Sequence, residues 1–372
     1  MKKRIVHIGM PYTGVGSYIK QIVKYSDSEN FEFYLLCNLK HESIKITGIE
    51  NSNIFHINLN RRLNPFLDFV CFLQIIRHLI NIKPSIVHCH SSKPGILARI
   101  AAIILRIPSF YTPNAFAFLN TKSALASKAF LFIERIMAKL PGTLLACSLK
   151  ELEISREIVN FSNNKSQVWS NSIYPLEKEY NFNCDSIEND QSIASIGRVC
   201  FQKNFDMAVE VLKIILSKGH NIKLNIYGAG YFSPEKESLL QKIENFGLKK
   251  YIIIHDYLDR SIMAKKLSKS LLYISTARYE GLPYSIMEAM SLGIPSIVTD
   301  VEGNNELVRD GINGYLIGSF NSKDMANKIV ELIEDNQKRE LFGQKAKQIF
   351  NNEYNIERNI SILEKLYIQH GR

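Results

Sequence analysis

Short apolar runs, each followed by a stretch with helical spacing, recur along this chain in two series with a polar interval between them. That alternation leaves few folds open. The first series reads as strands at IVHIG (5–9), FEFYLLC (31–37), SIVHCH (85–90), SFYTP (109–113) and GTLLACS (142–148), with helical stretches at 14–26, 65–82, 95–106 and 127–140. Strands this continuously apolar are buried on both faces, the condition of a parallel sheet covered by helices on either side. Residues 171–190, NSIYPLEKEYNFNCDSIEND, lose the pattern and turn polar, as a linker does. A second series of strands follows at 192–198, 223–230, 251–257, 271–275, 295–300 and 314–318. At 372 residues the chain is long for one α/β domain and suits two of roughly 150–200 residues. We expect an α/β protein of two Rossmann-like domains, over 1–170 and 191–353.

The basic start MKKRIVHIGM has its apolar stretch broken by Gly9 and Pro11, so it reads as a first strand and not as a signal peptide. No stretch reaches the ~18 uninterrupted apolar residues of a membrane span. The six cysteines (37, 71, 89, 147, 184 and 200) are scattered with no C-x-x-C. They suit a reducing cytoplasm and give no metal site. Charge is divided unevenly. Residues 1–170 carry 21 Lys and Arg against 10 Asp and Glu, a net of +11, while 171–372 carry 25 against 26. A basic half points to nucleic acid, a membrane surface or an acidic substrate. The chain has no zinc-finger spacing, RNP signature or KH-like clamp, so nucleic acid is not expected and an anionic membrane surface is the favoured partner. Helix 127–140 mixes Phe130, Phe132, Ile133, Ile136 and Leu140 with Lys128, Arg135 and Lys139. It reads first as an amphipathic helix facing the core and second as an interfacial one.

The densest chemistry lies in RYEGLPYSIMEAMSLGIPSIVTD (278–300). A strand precedes it, Gly281 and Pro283 break the chain, and a helix starts near Ser285 and closes at Gly293 before the next strand. In such β-loop-α-β units ligands sit outside the carboxyl ends of the strands. Glu280 lies at the strand end and Glu288 on the first turns of the helix. One carboxylate can meet a sugar or phosphate-linked group and the other can accept hydrogen bonds from ribose hydroxyls. Amides at the helix start are free for anionic oxygens.

This segment resembles the E-x7-E motif of the retaining, nucleotide-sugar-dependent glycosyltransferases of family 4, which have the GT-B fold, and the similarity spreads over nearly the whole chain. IGRVCFQKNFDMAVEVL (196–212) is similar to the family's G-R…K segment, so Arg198 and Lys203 would neutralise the donor diphosphate. YGAG (227–230) looks like the strand-end turn that passes under the nucleotide through Gly228. The resemblance also puts Gly281, Leu282 and Ser285 at the donor, and makes Glu280, Arg198 and Lys203 the catalytic group. VEGNNELVRDGINGYLI (301–317) resembles a further family run. HDYLD (255–259) departs from the glycine-containing loop that meets the base in many relatives, which leaves the base open.

In the first half, Gly14 and Gly16 lie between the first strand and helix. The run lacks a third glycine, and strand two ends in Asn38 where an NAD site needs an acid, which excludes an oxidoreductase. In the resembled family this loop faces the donor diphosphate. VHCHSSKPGILARIAA (87–102) is close to the H-x-H-S-S-K-x-G segment of members that build bacterial surface polysaccharides. It puts His90, Ser91 and Ser92 at a strand end on the acceptor side, with His90 either a structural hydrogen-bonder or a catalyst. YTPNAFAF (111–118) carries Asn114-Ala115 where relatives commonly have His-Gly. Asn cannot exchange a proton at neutral pH but can bond a sugar hydroxyl.

The resemblance implies an active site in the cleft between the domains, with the last helix (354–370) crossing back to the first. It implies transfer from a nucleoside diphosphate sugar to a growing, lipid-linked glycan at the inner face of the cytoplasmic membrane, in O-antigen, capsule or exopolysaccharide assembly. In this family the leaving phosphate is thought to assist the incoming hydroxyl, so no carboxylate pair at glycosidase spacing is needed. No D-x-D occurs, in keeping with a metal-independent transferase without cofactor. The rivals are a GT-B nucleotide-sugar epimerase or hydrolase and a non-catalytic glycan-binding derivative. Donor sugar, acceptor, linkage and oligomeric state are not legible.

Overall fold

The computed structural model describes residues 2–11, 14–39, 49–60, 63–119, 121, 123–182, 190–230, 233–256 and 258–371. Cys184, most of the second half of the expected linker, Tyr12, Thr13 and Tyr257 lie outside them. The chain divides into two compact units: Met1–Ser172 with Ile356–Arg372, and Ile173–Asn355. The first contains β1 (Lys3–Ile8), α1 (Gly14–Tyr25), β2 (Phe31–Cys37), β3 (Ile54–His56), α2 (Pro65–Ile82), β4 (Ile86–His90), α3 (Ser92–Ile104), β5 (Ser109–Thr112), α4 (Ala124–Lys139), β6 (Thr143–Ala146), α5 (Leu149–Glu157) and β7 (Ser166–Val168). The second contains α6 (Leu176–Glu179), β8 (Asp190–Ile196), α7 (Phe205–Ser217), β9 (Lys223–Tyr227), α8 (Lys236–Asn245), β10 (Ile252–His255), α9 (Arg260–Leu267), β11 (Ser270–Ser275), α10 (Tyr284–Ser291), β12 (Ser296–Thr299), α11 (Asn304–Leu307), β13 (Gly314–Ile317), α12 (Ser322–Glu334) and α13 (Asn336–Ile349). The closing helix, α14 (Ile356–His370), belongs to the first unit.

Both sheets are parallel. Their orders are β3-β2-β1-β4-β5-β6-β7 and β10-β9-β8-β11-β12-β13. Each order reverses once, between β1 and β4 in the first and between β8 and β11 in the second. At such a switch point the loops leaving the two central strands diverge to opposite faces and open a crevice. The loops after β8 and β11 are the two that carry Arg198, Lys203 and Glu280.

The first sheet is buried because its strands hold Val6, Ile8, Leu36, Val87, Cys89 and Leu144 against the inward stripe Cys71, Ile75 and Leu79 of α2. That stripe repeats every four residues, as one face of a helix must. By length and composition α2 could cross a membrane: 18 residues at a mean hydropathy of 1.4, with 22% buried. Here it covers one edge of the sheet and turns Phe66, Phe69, Leu73 and Ile80 to solvent.

Three expectations change. The three-residue strands β3 and β7 and the charge-rich α5 escape a periodicity argument because they are too short or too polar to show a stripe. Residues 173–182 belong to the second unit, with Ile173 and Leu176 buried in its core, and are not part of a free linker. Helix α4 faces the core with only part of its apolar set: Phe130, Leu131, Met137 and Ala138 pack inward, whereas Phe132 and Ile136 are 66% and 46% exposed and Glu134 is buried. Glu134 takes the inward position because the Tyr111 hydroxyl donates to its Oε1 at 2.8 Å.

Candidate functional site

The second unit gathers its cations and carboxylates at the switch point. After β8 the chain turns at Gly197, where an added Cβ would lie 2.9 Å from Lys203 Cε. A bare glycine lets the lysine stem lie across the backbone. Lys203 Nζ then reaches Glu280 Oε1 at 2.6 Å. Burial is the largest single influence on the Lys203 pKa and lowers it, but the charge and hydrogen bond of Glu280 together with Tyr273 and Cys200 outweigh it, and the net direction is upward. The two loops are laced together. Thr276 Oγ1 donates to the Lys203 carbonyl at 3.0 Å, and Arg278 N donates to the Gln202 carbonyl at 2.8 Å. Gln202 Nε2 donates to the Tyr279 carbonyl at 3.1 Å and to Glu280 Oε2 at 3.3 Å. Arg198 is exposed and makes no ion pair among the described residues.

Glu288 lies on α10, one turn in from Pro283. Its side chain is 1% exposed and pairs with Arg260, the first residue of α9. Arg260 also hydrogen-bonds Tyr180, and Glu288 before all else raises its pKa. Leu282 and Ser285 are buried, Leu282 in the core behind the loop. Gly303 fixes the height of that loop. Its φ is +82°, and a Cβ there would sit 2.2 Å from the Gly281 carbonyl oxygen. No residue with a side chain fits there without displacing the backbone beside Glu280. Gly228 turns at φ +89° at the end of β9, and a Cβ there would come 3.6 Å from the Gly197 backbone. The cluster is therefore two carboxylates, each matched by a cation, with Arg198 in excess. An anionic ligand would meet the Arg198 guanidinium and, on the loop after β11, that of Arg278, which donates to the Phe201 carbonyl and has no ion pair among the described residues. Lys203 could share itself between ligand and Glu280. Such a charge set accepts a diphosphate and supports charge building on a leaving phosphate.

In the first unit the predicted residues lie at the end of β4 and in the segments after β1, β4 and β5, and Ser91 and Asn114 meet at the Thr112 carbonyl. Gly16 is held by packing, since a Cβ there would meet the Pro11 carbonyl oxygen at 2.4 Å, whereas a Cβ on Gly14 meets nothing within 4 Å. Ser91 N donates to the Thr112 carbonyl at 2.9 Å, and Ser92 Oγ accepts from Ala117 N at 3.3 Å, so both serines hold the turns after β4 and β5. Asn114 Nδ2 donates to the Thr112 carbonyl at 3.3 Å. His90 is fully buried, and its Nε2 lies 2.9 Å from His7 Nδ1. Burial, and next His7, push its pKa well down. It is a member of a close trio in which His7 and His90 stack and His88 is tilted to both, its ring centroid 4.4 Å from that of His90. Of the two readings of His90, the structure favours the structural hydrogen-bonder over the catalyst: the ring has no exposed surface and its Nε2 meets His7 Nδ1. The trio is close enough to hold a metal ion. However, both ring nitrogens of His88 are already engaged, with Tyr367 Oη at 2.7 Å and Thr112 Oγ1 at 2.9 Å.

Two family models tile the chain. One described as "Glycosyltransferase Family 4" matches residues 12–175, and one described as "Glycosyl transferases group 1" matches 177–349. The chain belongs to family 4 of the glycosyltransferases. Its relatives include the "UDP-Gal:alpha-D-GlcNAc-diphosphoundecaprenol alpha-1,3-galactosyltransferase" of Escherichia coli, 27% identical over 384 residues that cover 99% of this chain and 97% of that protein. A "Capsular polysaccharide biosynthesis glycosyltransferase CapM" of Staphylococcus aureus is 26% identical over 331 residues, covering 84% and 83%. The solved glycosyltransferase from Rickettsia africae ESF-5 superposes with a TM-score of 0.80 at 17% identity, over 99% of this chain and 98% of that one, and shows the shared GT-B fold. This family 4 enzyme is a retaining glycosyltransferase of the hexosyltransferase class that draws on a nucleotide sugar.

Sequence reasoning missed Arg260, Tyr180 and Gly303. Arg260 follows directly on the segment after β10, so the strand-end rule that found Glu280 could have found it. Tyr180 was hidden by its place in a polar interval that looked like a linker. Gly303 sits inside a quoted motif, but its reason is a close approach that only coordinates reveal.

Proposed function

We propose that this glycosyltransferase moves a hexose from a UDP-sugar to a polyprenyl-diphosphate-linked glycan at the inner face of the cytoplasmic membrane, in the assembly of a bacterial surface polysaccharide. The observation that carries the reading is the Lys203–Glu280 pair beside the unmatched Arg198. As the bond from the sugar to the diphosphate breaks, the leaving phosphate gains charge. Arg198, Lys203 and the amides opening α10 take it up. Glu288 holds the ribose and Glu280 the sugar hydroxyls. The incoming acceptor hydroxyl gives its proton to the departing phosphate oxygen as the new glycosidic bond forms on the same face. The charge of the diphosphate is met by side chains, so the reaction needs no divalent cation.

The name of the Escherichia coli relative supports both the donor base and the acceptor class. Membrane attachment is supported by α4. Its outward face carries Leu125, Lys128, Phe132, Arg135, Ile136 and Lys139, apolar and basic residues alternating at helical spacing. That is the composition of an interfacial helix. The test is transfer by purified protein from UDP-galactose, UDP-glucose and UDP-N-acetylglucosamine to undecaprenyl-diphosphate-N-acetylglucosamine, with and without EDTA. Product with one of these donors, unchanged by EDTA and α-configured by NMR, is expected. Free sugar and UDP alone would make the protein a hydrolase. Activity abolished by EDTA and restored by Mn²⁺ would overturn the metal-independent site.

A further inference from the structure

The turn after β5 contains two residues without the freedom of glycine in the left-handed region: Asn114 at φ +52° and Ala115 at φ +73°. For a residue with a Cβ this conformation is disfavoured, so something outside the turn has to hold it. The holder is Glu151. Its Oε1 accepts from Ala115 N at 2.7 Å, and its Oε2 accepts from Cys147 N at 2.8 Å. The residue is 5% exposed, so both bonds are made away from water. Ser148 and Glu151 spell the S-x-x-E pattern of a helix start, and Ser148 Oγ does accept from Glu151 N at 3.0 Å. In the usual reciprocal box the glutamate reaches back to the amide of the capping residue itself. Here it is diverted, one oxygen to the preceding Cys147 amide and the other across to the turn after β5. One buried carboxylate thereby ties the carboxyl ends of β5 and β6 together.

We propose that Glu151 is a positioning residue for the acceptor: it locks the Asn114–Ala115 turn left-handed, so that the Asn114 amide is presented at the strand ends to an acceptor hydroxyl. The inference rests on the transferase reading above for the acceptor half and on geometry alone for the lock. Glu151 touches no substrate. Its influence passes through the Ala115 amide, and it is needed because Ala115 is not a glycine.

The test uses the full chain with Glu151→Ala, Ala115→Gly and the double substitution. Glu151→Gln, which keeps one acceptor oxygen, carries the test should Glu151→Ala fail to fold. Hydrogen exchange of the peptide over 113–117 reads the lock. UDP affinity reads the second unit. The KM for undecaprenyl-diphosphate-N-acetylglucosamine, with UDP-galactose or whichever donor is turned over, reads the acceptor. Glu151→Ala is expected to speed exchange at 113–117 and raise the acceptor KM by about tenfold, the scale of one buried hydrogen bond. UDP affinity should stay as in the wild type. Adding Ala115→Gly should return part of the acceptor KM, because glycine keeps the turn without the lock. Unchanged exchange in Glu151→Ala overturns the lock. Faster exchange with an unchanged acceptor KM overturns the acceptor role of the turn and leaves both the lock and the transferase reading intact.

Discussion

Arg198 and Lys203 were paired in the sequence as one diphosphate clamp, but their surroundings differ. Arg198 is exposed and carries no ion pair among the described residues, whereas Lys203 neutralises Glu280, whose side chain is only 8% exposed. Arg198→Ala should cost about 2–4 kcal/mol of transition-state stabilisation and leave the fold unchanged. Lys203→Ala should cost as much in turnover and, in addition, ~1–3 kcal/mol of second-unit stability, because Glu280 is left without its partner. Steady-state kinetics with thermal unfolding of both variants would decide. Equal melting temperatures for the two would mean that the Lys203–Glu280 pair contributes nothing to the fold. The sequence located this cluster through residue type and position after a strand, which are local properties. It could not show that each carboxylate is already held by a cation, since Arg260 and Glu288 come from different loops. Nor could it show that His90 is walled in, because a histidine at a strand end looks the same buried or open.

At the scale of elements, long helices with a clear stripe were legible: residues 65–82 were expected to be helical and α2 spans the same residues. Helix α4 was found, and it does pack on the core, but which of its large residues stay outside was not legible, since counting apolar residues does not reveal which face the sheet will take. The buried bond between Tyr111 and Glu134 decides it. The consequence concerns the membrane. Lys128, Arg135 and Lys139 are exposed beside Phe132 and Ile136, and basic residues at an anionic surface contribute roughly 1 kcal/mol each, screened over about a Debye length. Changing all three to Ala should weaken binding to anionic vesicles at low salt by at least about tenfold, without altering UDP affinity. Arg135 Nε also donates to the Ile158 carbonyl at 2.9 Å, so a slightly lower melting point is expected as well. Vesicle sedimentation over a salt series checks it, and no binding by the parent protein at low salt would redirect the basic half to a soluble acceptor.

For the whole molecule, the two units should respond differently to acid. His7, His88 and His90 are fully buried in the first, and burial lowers their pKa values, that of His7 from 6.5 to about 3. Above pH 6.5 these histidines are neutral folded or unfolded and exact no penalty. As pH falls below 6.5 the unfolded chain takes up protons that the folded unit refuses, and stability is lost until the folded values are reached. Each histidine accounts for about 1.4 kcal/mol per pH unit in that window. Burial raises Glu134 and Glu151, which protonate earlier in the folded state and offset part of the loss. The three histidines together set a fall of about 4 kcal/mol between pH 7.5 and 5.5, and the two carboxylates make the net fall smaller. The single tryptophan, Trp169, stacks edge-on against Tyr18 at 5.2 Å, in the same unit. Its fluorescence in urea titrations at the two pH values therefore reports this unit. A first unit equally stable at both would contradict the neutral-histidine trio.

One consequence of the closing helix concerns the order of synthesis. Tyr367 Oη bonds His88, and Lys3 Nζ donates to the Gly371 carbonyl at 3.0 Å, so α14 is stitched to the strands made first. Residues 173–355 lie between them in the chain. At translation rates of about 5–20 residues per second, the early strands wait on the order of ten seconds or more for their cover. Through that interval Phe31, Phe110 and the His88 ring stand open on a nascent sheet, while the later unit emerges whole and free to fold. The unit whose strands precede residue 173 is completed only after residue 355, and its uncovered aromatic face is where a ribosome-bound chaperone would find purchase.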